Sequence, residues 1–369
     1  MIKQIFLVLF FSLISIQDFS QENKPKTDTA SAAQTFLKLG NFKCDSASVH
    51  QKNKDIKGAN KFYTEAIKDY KKAVKIDENS YAGYYRLGIA QEKIKDHKNA
   101  VISFDKALLI DATRSEAFRE RGIAQLGLGK DTMAVKDFDK AININYEDAE
   151  TFFQRGMLRE KKRNTQQQAL EDYARALEIK PNFEEVYMKR GVIYHNIKKD
   201  YVLALADFTR VLEINPENND GYFWRGKTEF NGGDFKGAEK DLSRYLDMEP
   251  ENVEALITRG ASRINTGNYS GAVRDFDDAI KLDPKNVVAL MNRGTAKGAM
   301  KNYTGALEDL DMAIKIKFDY SMAYINRALV KYVSGDKKGA CKDLDKADGL
   351  NNEKAYELIQ KYCKEMENR

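Results

Sequence analysis

The dipeptide Arg-Gly returns along this chain at a nearly fixed interval. Arg121-Gly122, Arg155-Gly156, Arg190-Gly191, Arg225-Gly226, Arg259-Gly260 and Arg293-Gly294 follow one another at steps of 34 or 35 residues. A period of that length argues against one globular core, because each repeat is a supersecondary unit that buries its apolar face only against its neighbours. Twelve residues after each glycine, or thirteen where the step is 35, stands an alanine: Ala134, Ala169, Ala204, Ala238, Ala272 and Ala306. Two antiparallel helices joined by a short turn approach closely only where neither carries a bulky side chain. The unit is therefore read as one helical hairpin, written many times.

In register the blocks are 81–114, 115–148, 149–183, 184–218, 219–252, 253–286, 287–320 and 321–354, numbered here as repeats 1 to 8. Position 4 of each is large and apolar, from Tyr84 to Tyr324; position 8 is Gly except at Ala328; position 20 is Ala; position 24 is aromatic or Leu. Pro181, Pro216, Pro250 and Pro284 fall at position 32, where a residue without an N–H stops the second helix. This pattern resembles the tetratricopeptide repeat and covers about three quarters of the chain. The resemblance implies an all-α, right-handed superhelical solenoid of about eight helix-turn-helix repeats. Residues 47–80 read as a degenerate repeat in which only the second helix is legible, through Ala66, Tyr70 and Ala73. Residues 355–369 read as a C-terminal capping helix and tail, with the helical pattern already starting at Glu353.

Position 7, apolar in most of the family, is here Arg121, Arg155, Arg190, Arg225, Arg259, Arg293 and Arg327. A charge beside a packed interface needs a partner. Position 23 supplies one each time: Asp137, Asp172, Asp207, Asp241, Asp275, Asp309 and Asp343. Both positions lie about equally far from the turn, so antiparallel pairing sets them level and predicts a ladder of ion pairs. Repeat 1 has Leu87 and Ser103 instead, losing both members together.

The family's ligands lie along the concave face lined by first helices. Position 5 contributes Tyr85, Phe153, Met188, Phe223, Ile257, Met291 and Ile325 to that face; position 9 adds Met157, Val192 and Leu329; position 12 adds Phe230, Ile264 and Tyr332. This stripe either packs on adjacent first helices or forms a groove for an apolar peptide or helix, with Met giving adaptable contacts. The chaperone-tail clamp of some relatives needs Lys at position 5 and Asn at position 9. Neither occurs here.

Residues 1–20 read as a secretory signal peptide: Lys3, an apolar run from Ile5 to Ile16, then polar residues to Gln21. The run is too short for a membrane anchor. Residues 21–46 read as a flexible leader. Export to the periplasm or cell surface would let disulfides persist. Cys341 opens the second helix of repeat 8 and Cys363 lies near the end of the cap, about equally far from the turn between them, so these two are expected to pair and Cys44 to stay free.

Charge is finely mixed, 61 Lys plus Arg against 56 Asp plus Glu, with no one-signed helix face evident, which argues against nucleic acid as partner. His50, His97 and His195 are scattered, the latter two read as exposed, and none stands at metal-ligand spacing. No cofactor, metal or catalytic constellation is expected. The chain reads as a non-catalytic scaffold binding another envelope or secreted protein; a structural envelope component that self-associates is the alternative.

Overall fold

The computed structural model describes residues 26–363, which are all helix and turn. The expected signal peptide lies outside the described residues. Two compact units divide between Tyr146 and Glu147. The first contains α1 (Lys26–Lys52), α2 (Ile56–Ile76), α3 (Tyr81–Lys93), α4 (His97–Ile110), α5 (Ser115–Gly127) and α6 (Asp131–Ile144). The second contains α7 (Ala149–Glu160), α8 (Gln166–Ile179), α9 (Glu184–Ile193), α10 (Tyr201–Ile214), α11 (Asn219–Gly232) and α12 (Phe235–Met248). It continues with α13 (Val253–Asn265), α14 (Tyr269–Leu282), α15 (Val287–Ala299), α16 (Tyr303–Ile316), α17 (Ser321–Val333), α18 (Lys337–Asp348) and α19 (Glu353–Tyr362).

Local chemistry sets these boundaries. Most helices open on an Asp, Asn or Ser whose side chain accepts a hydrogen bond from a first-turn N–H, as Asp96 does for α4, Asn252 for α13 and Asn268 for α14. Within each hairpin the alanines of the second helix and its residue at position 24 are sealed from solvent. Ala272, Phe276 and Ala279 show 0% exposure. The position-8 glycine is required sterically: a Cβ on Gly260 would sit 2.7 Å from Phe276 Cε1.

The leader reading is corrected. From Lys26 the chain is helical, and α1 packs along α2 as the first helix of the degenerate repeat. Its polar Lys, Thr and Ser residues hide an inward stripe of Ala33, Leu37, Gly40, Cys44 and Ala47, all buried or half-buried at helical spacing. Gly40 meets Tyr70 so closely that a Cβ there would lie 2.4 Å from the ring, the same relation that position 8 has to position 24 elsewhere.

The two 35-residue repeats absorb their extra residue differently. Repeat 3 makes a 3₁₀ turn at Arg163–Thr165. Repeat 4 extends α9 as one π turn, Tyr194–Lys198, and leaves it through Lys199 at φ 55°.

Candidate functional site

The arginine of each ladder pair reaches across its hairpin and grips the aspartate with two parallel bonds. Arg190 donates from Nε and Nη2 to Asp207 at 2.9 and 2.7 Å; Arg327 does the same to Asp343 at 2.8 and 2.6 Å. Arg121–Asp137, Arg155–Asp172, Arg225–Asp241, Arg259–Asp275 and Arg293–Asp309 share this geometry. These aspartates are nearly sealed, with Asp275 2% exposed. A fork-on-fork pair is the arrangement that lets a carboxylate stay charged there.

Two further connections were not read from the sequence. The remaining Nη1 of Arg121, Arg293 and Arg327 bonds the position-25 aspartate of the preceding repeat: Asp105 at 2.7 Å, Asp277 at 2.7 Å and Asp311 at 2.6 Å. The pair within one hairpin thereby also ties that hairpin to its neighbour. Position 11 adds a second cation to the same aspartate in repeats 3, 6, 7 and 8, where Arg159, Arg263, Lys297 and Lys331 approach Asp172, Asp275, Asp309 and Asp343 at 2.8 Å. Position 11 is instead Gln91, Gln125, Tyr194 and Glu229 in repeats 1, 2, 4 and 5. Glu229 lies near Asp241, its Oε2 buried and without a hydrogen-bond partner among the described residues and its Oε1 4.0 Å from Arg225 Nε. Burial, then the Asp241 charge, pushes its carboxyl up to about 7.

The first-helix stripe is more enclosed than the sequence suggests. Phe153, Met291 and Ile325 are buried, so they are corrected from groove-lining to core residues. Phe153 packs on Phe183 with ring centroids 5.0 Å apart, while Met291 and Ile325 belong to the cores of the last repeats. Tyr85, Met157, Met188, Val192, Phe223, Phe230, Ile257, Ile264, Leu329 and Tyr332 are half-buried, each with one edge toward solvent. Tyr332 is partly capped by Tyr362, the last residue of α19, at 4.5 Å between rings.

The richest stretch of that face lies on repeats 4 to 6, around a residue that sequence reasoning passed over. Trp224 occupies position 6, which is Arg86, Glu120, Gln154, Lys189, Thr258, Asn292 or Asn326 in the other repeats, and this was the available signal. Trp224 is half-buried between Phe208 and Phe223, with Lys227 Nζ 4.4 Å from its ring centre and also 2.7 Å from Glu254. Beneath it lies His195, which the sequence placed at the surface; it is 3% exposed. The π turn carries it inward, edge-on to Trp224 and Tyr201. Thr228 donates its hydroxyl proton to the Trp224 carbonyl, so its oxygen accepts from His195 Nδ1 at 2.9 Å, and Asn231 donates to Nε2 at 3.2 Å. Burial, followed by the Lys227 charge, lowers the imidazole to about 4 and keeps it neutral. The other histidines have acidic neighbours in space: His97 meets Glu92 at 2.9 Å and His50 meets Asp55 at 2.7 Å.

At the C-terminal end, Cys341 and Cys363 form a disulfide with Cα atoms 5.8 Å apart. Cys44 is a free thiol, half-buried beside the Tyr70 hydroxyl, and burial raises its pKa.

Stacked antiparallel hairpins with a Gly–aromatic contact in each define an all-α repeat array, with an apolar and mixed-charge face on its first helices. Models of the TPR repeat match residues 61–95 and 158–198, and models of the tetratricopeptide repeat match 81–114, 198–253 and 257–321. The chain is a tetratricopeptide-repeat protein. No curated protein matches its sequence. Among solved structures it is similar to YrrB, described as a TPR protein with an unusual peptide-binding site, at 29% identity and a TM-score of 0.48 over 51% of this chain and 96% of that one. It is also similar to the C-terminal part of a TPR repeat-containing protein from Cytophaga hutchinsonii, at 21% identity and TM-score 0.51 over 67% and 97%. A tetratricopeptide repeat protein from Parabacteroides merdae aligns at 20% identity and TM-score 0.47 over 68% and 97%.

Proposed function

We propose that this protein is a non-catalytic interaction scaffold of the cell envelope that binds a peptide or helix of a partner along its first-helix face, centred on Met188, Phe223, Trp224 and Ile257. The observation that carries this reading is Trp224, the largest side-chain type, held half-open in the stripe with Lys227 across its ring. Aromatic anchors in desolvated surroundings, rimmed by polar groups, dominate peptide binding. Met188 and Ile257 flank it in sequence register, and Lys227 with Glu254 supplies the polar rim.

Export to the periplasm or cell surface is part of the proposal. It is supported by the apolar run Ile5 to Ile16 and by a disulfide of the kind that persists in an oxidising compartment. Among the described residues no helix is long and apolar enough to cross a membrane. An N-terminus still beginning at Met1 in protein recovered from cells would rule the export reading out.

A photo-crosslinking residue at Ile257, compared with one at Met312 on a second helix, tests the groove in living cells. The expected result is an adduct at position 257 that disappears in Trp224→Ala with helicity retained. Equal adducts at both sites overturn it. A crosslink of the chain to itself favours the self-associating alternative, which a solution mass above that of the monomer would reinforce.

A further inference from the structure

The second-helix face of the first unit differs in character from the first-helix stripe. The sequence showed no one-signed helix face, yet the solvent side of α2 is one: Lys57, Lys61, Lys68, Lys71, Lys72 and Lys75 are all exposed. Of the two carboxylates on that helix, Asp69 is buried against Lys43 and Glu65 is half-buried. The basic character continues into a trough of about 450 Å³ between α4 and α6, floored by α5.

That trough exists where a ladder rung is incomplete. In repeats 7 and 8 the position-11 ammonium groups of Lys297 and Lys331 reach the rung aspartate. In repeat 2 the residue is Gln125, whose uncharged side chain leaves Asp137 to Arg121 alone. Gln125 is only 7% exposed, lines the trough, and its Oε1 has no hydrogen-bond partner. A buried amide oxygen left without a donor is costly, so Gln125 gains by turning toward any donor that enters the trough. Around it stand Lys130, Lys136 and Lys140, exposed and forming no ion pair among the described residues, while the two carboxylates in the wall, Asp105 and Asp137, are both held by Arg121. The next trough, between α2 and α4, also has lysines at its rim, Lys71, Lys75 and Lys106, but Glu78 joins them and its Gln91 is bonded to Ser103 at 2.6 Å.

We propose that the α4–α6 trough binds an acidic peptide segment, its carboxylates on Lys130, Lys136 and Lys140, with Gln125 turning its sealed Oε1 toward the trough to accept from one of the peptide's backbone N–H groups. The lysines alone would accept any anion. The amide oxygen selects, because a phosphodiester backbone offers only acceptors, whereas a peptide brings a donor at every residue. Half-buried Val101 and exposed Met133 give the peptide an apolar wall. The α2 lysines raise the local concentration of such a ligand without contacting it in this trough. This site belongs to the first unit and the proposed groove to the second, and it stands or falls independently of that groove.

The test is fluorescence anisotropy on the full chain with a labelled, end-blocked peptide of alternating glutamate and glycine. A single-stranded oligonucleotide and phosphatidylglycerol vesicles serve as competing anions. Gln125→Lys is the decisive variant. It adds positive charge, so a merely electrostatic surface would bind the peptide more tightly. If the trough is the site, the new ammonium reaches Asp137 as Lys297 and Lys331 reach theirs, fills the space, and weakens the peptide about tenfold with the thermal midpoint held or raised. Gln125→Met, which keeps size and removes the acceptor, gives the same direction of change. Lys136→Glu with Lys140→Glu abolishes binding, and N-methylation of the peptide backbone weakens it at constant charge. Unchanged or tighter peptide binding by both Gln125 variants overturns the proposal, as does an oligonucleotide or vesicle that binds more tightly than the peptide.

Discussion

Repeats 4 and 6 hold the same Arg–Asp pair in the same geometry, but Asp207 has Arg190 as its one cation while Asp275 has both Arg259 and Arg263. The difference lies at position 11, Tyr194 in one and Arg263 in the other. It teaches that the rung is a three-residue unit whose third member varies, and that one family pattern can house both a doubly neutralised carboxylate and a singly neutralised one. Repeat 5 takes the variation further by placing a second acid, Glu229, where repeat 6 has a cation.

The largest effect separates these rungs directly. Arg190→Leu leaves Asp207 buried without any cation and is expected to cost roughly 3–5 kcal/mol, the range for breaking one member of a buried pair. Arg259→Leu leaves Arg263 on Asp275 and should cost about half of that. Chemical denaturation of both variants checks the ratio; equal losses would mean that the position-11 cation contributes nothing. Adding Asp207→Leu to Arg190→Leu recovers most of the loss, whereas adding Asp275→Leu to Arg259→Leu recovers less, because Arg263 then keeps only the Glu239 carboxylate, at 2.9 Å.

Next in size is the disulfide. Closing its loop of 22 residues stabilises the end of the array by about 3 kcal/mol. Reduction is expected to speed hydrogen exchange in α18 and α19 while exchange in repeats 4 to 6 is unchanged, and uniform loosening of the whole chain would contradict a local role.

Smaller still is the charge at repeat 5. Glu229 has an ordinary value of 4.5 and is held at about 7 in the fold. Between those values the folded state keeps a proton that the unfolded chain releases, so stability falls as pH rises through that window. Glu229→Gln should remove that slope and gain on the order of 1 kcal/mol at pH 8, little at pH 4. Thermal melts at the two pH values decide it. Glu229→Lys, which copies repeats 7 and 8, should gain at least as much.

The hairpin register, the ladder partners and the cysteine pair were legible because each depends only on distance from a turn, which the period fixes. Arg263, Lys297 and Lys331 were not, because position 11 lies one helical turn beyond position 7 and meets Asp only through the reach of its side chain. The first helix went unread because its solvent face is polar and its inward face is small; Ala33, Gly40 and Ala47 carry little hydropathy, although their spacing is helical. His195 was misplaced because one inserted residue rotates it inward through the π turn, and an insertion marks a position without stating how the backbone takes it up. The three buried members of the stripe shared a period with their half-open neighbours. Their neighbours distinguish them, as Phe183 does for Phe153.

The bond between Cys341 and Cys363 also sets a direction for dismantling the molecule. A repeat array loses its ends first, one nearest-neighbour interface at a time. With the second helix of the last hairpin and the cap closed into a covalent ring, unzipping that proceeds inward from the C-terminus must break a bond or carry a loop of 22 residues as a single bulky piece. A pore or unfoldase that threads one strand at a time would therefore stall when it grips this chain by its tail and advance when it starts from α1. Reducing agents would act as the release for traffic in the reverse sense.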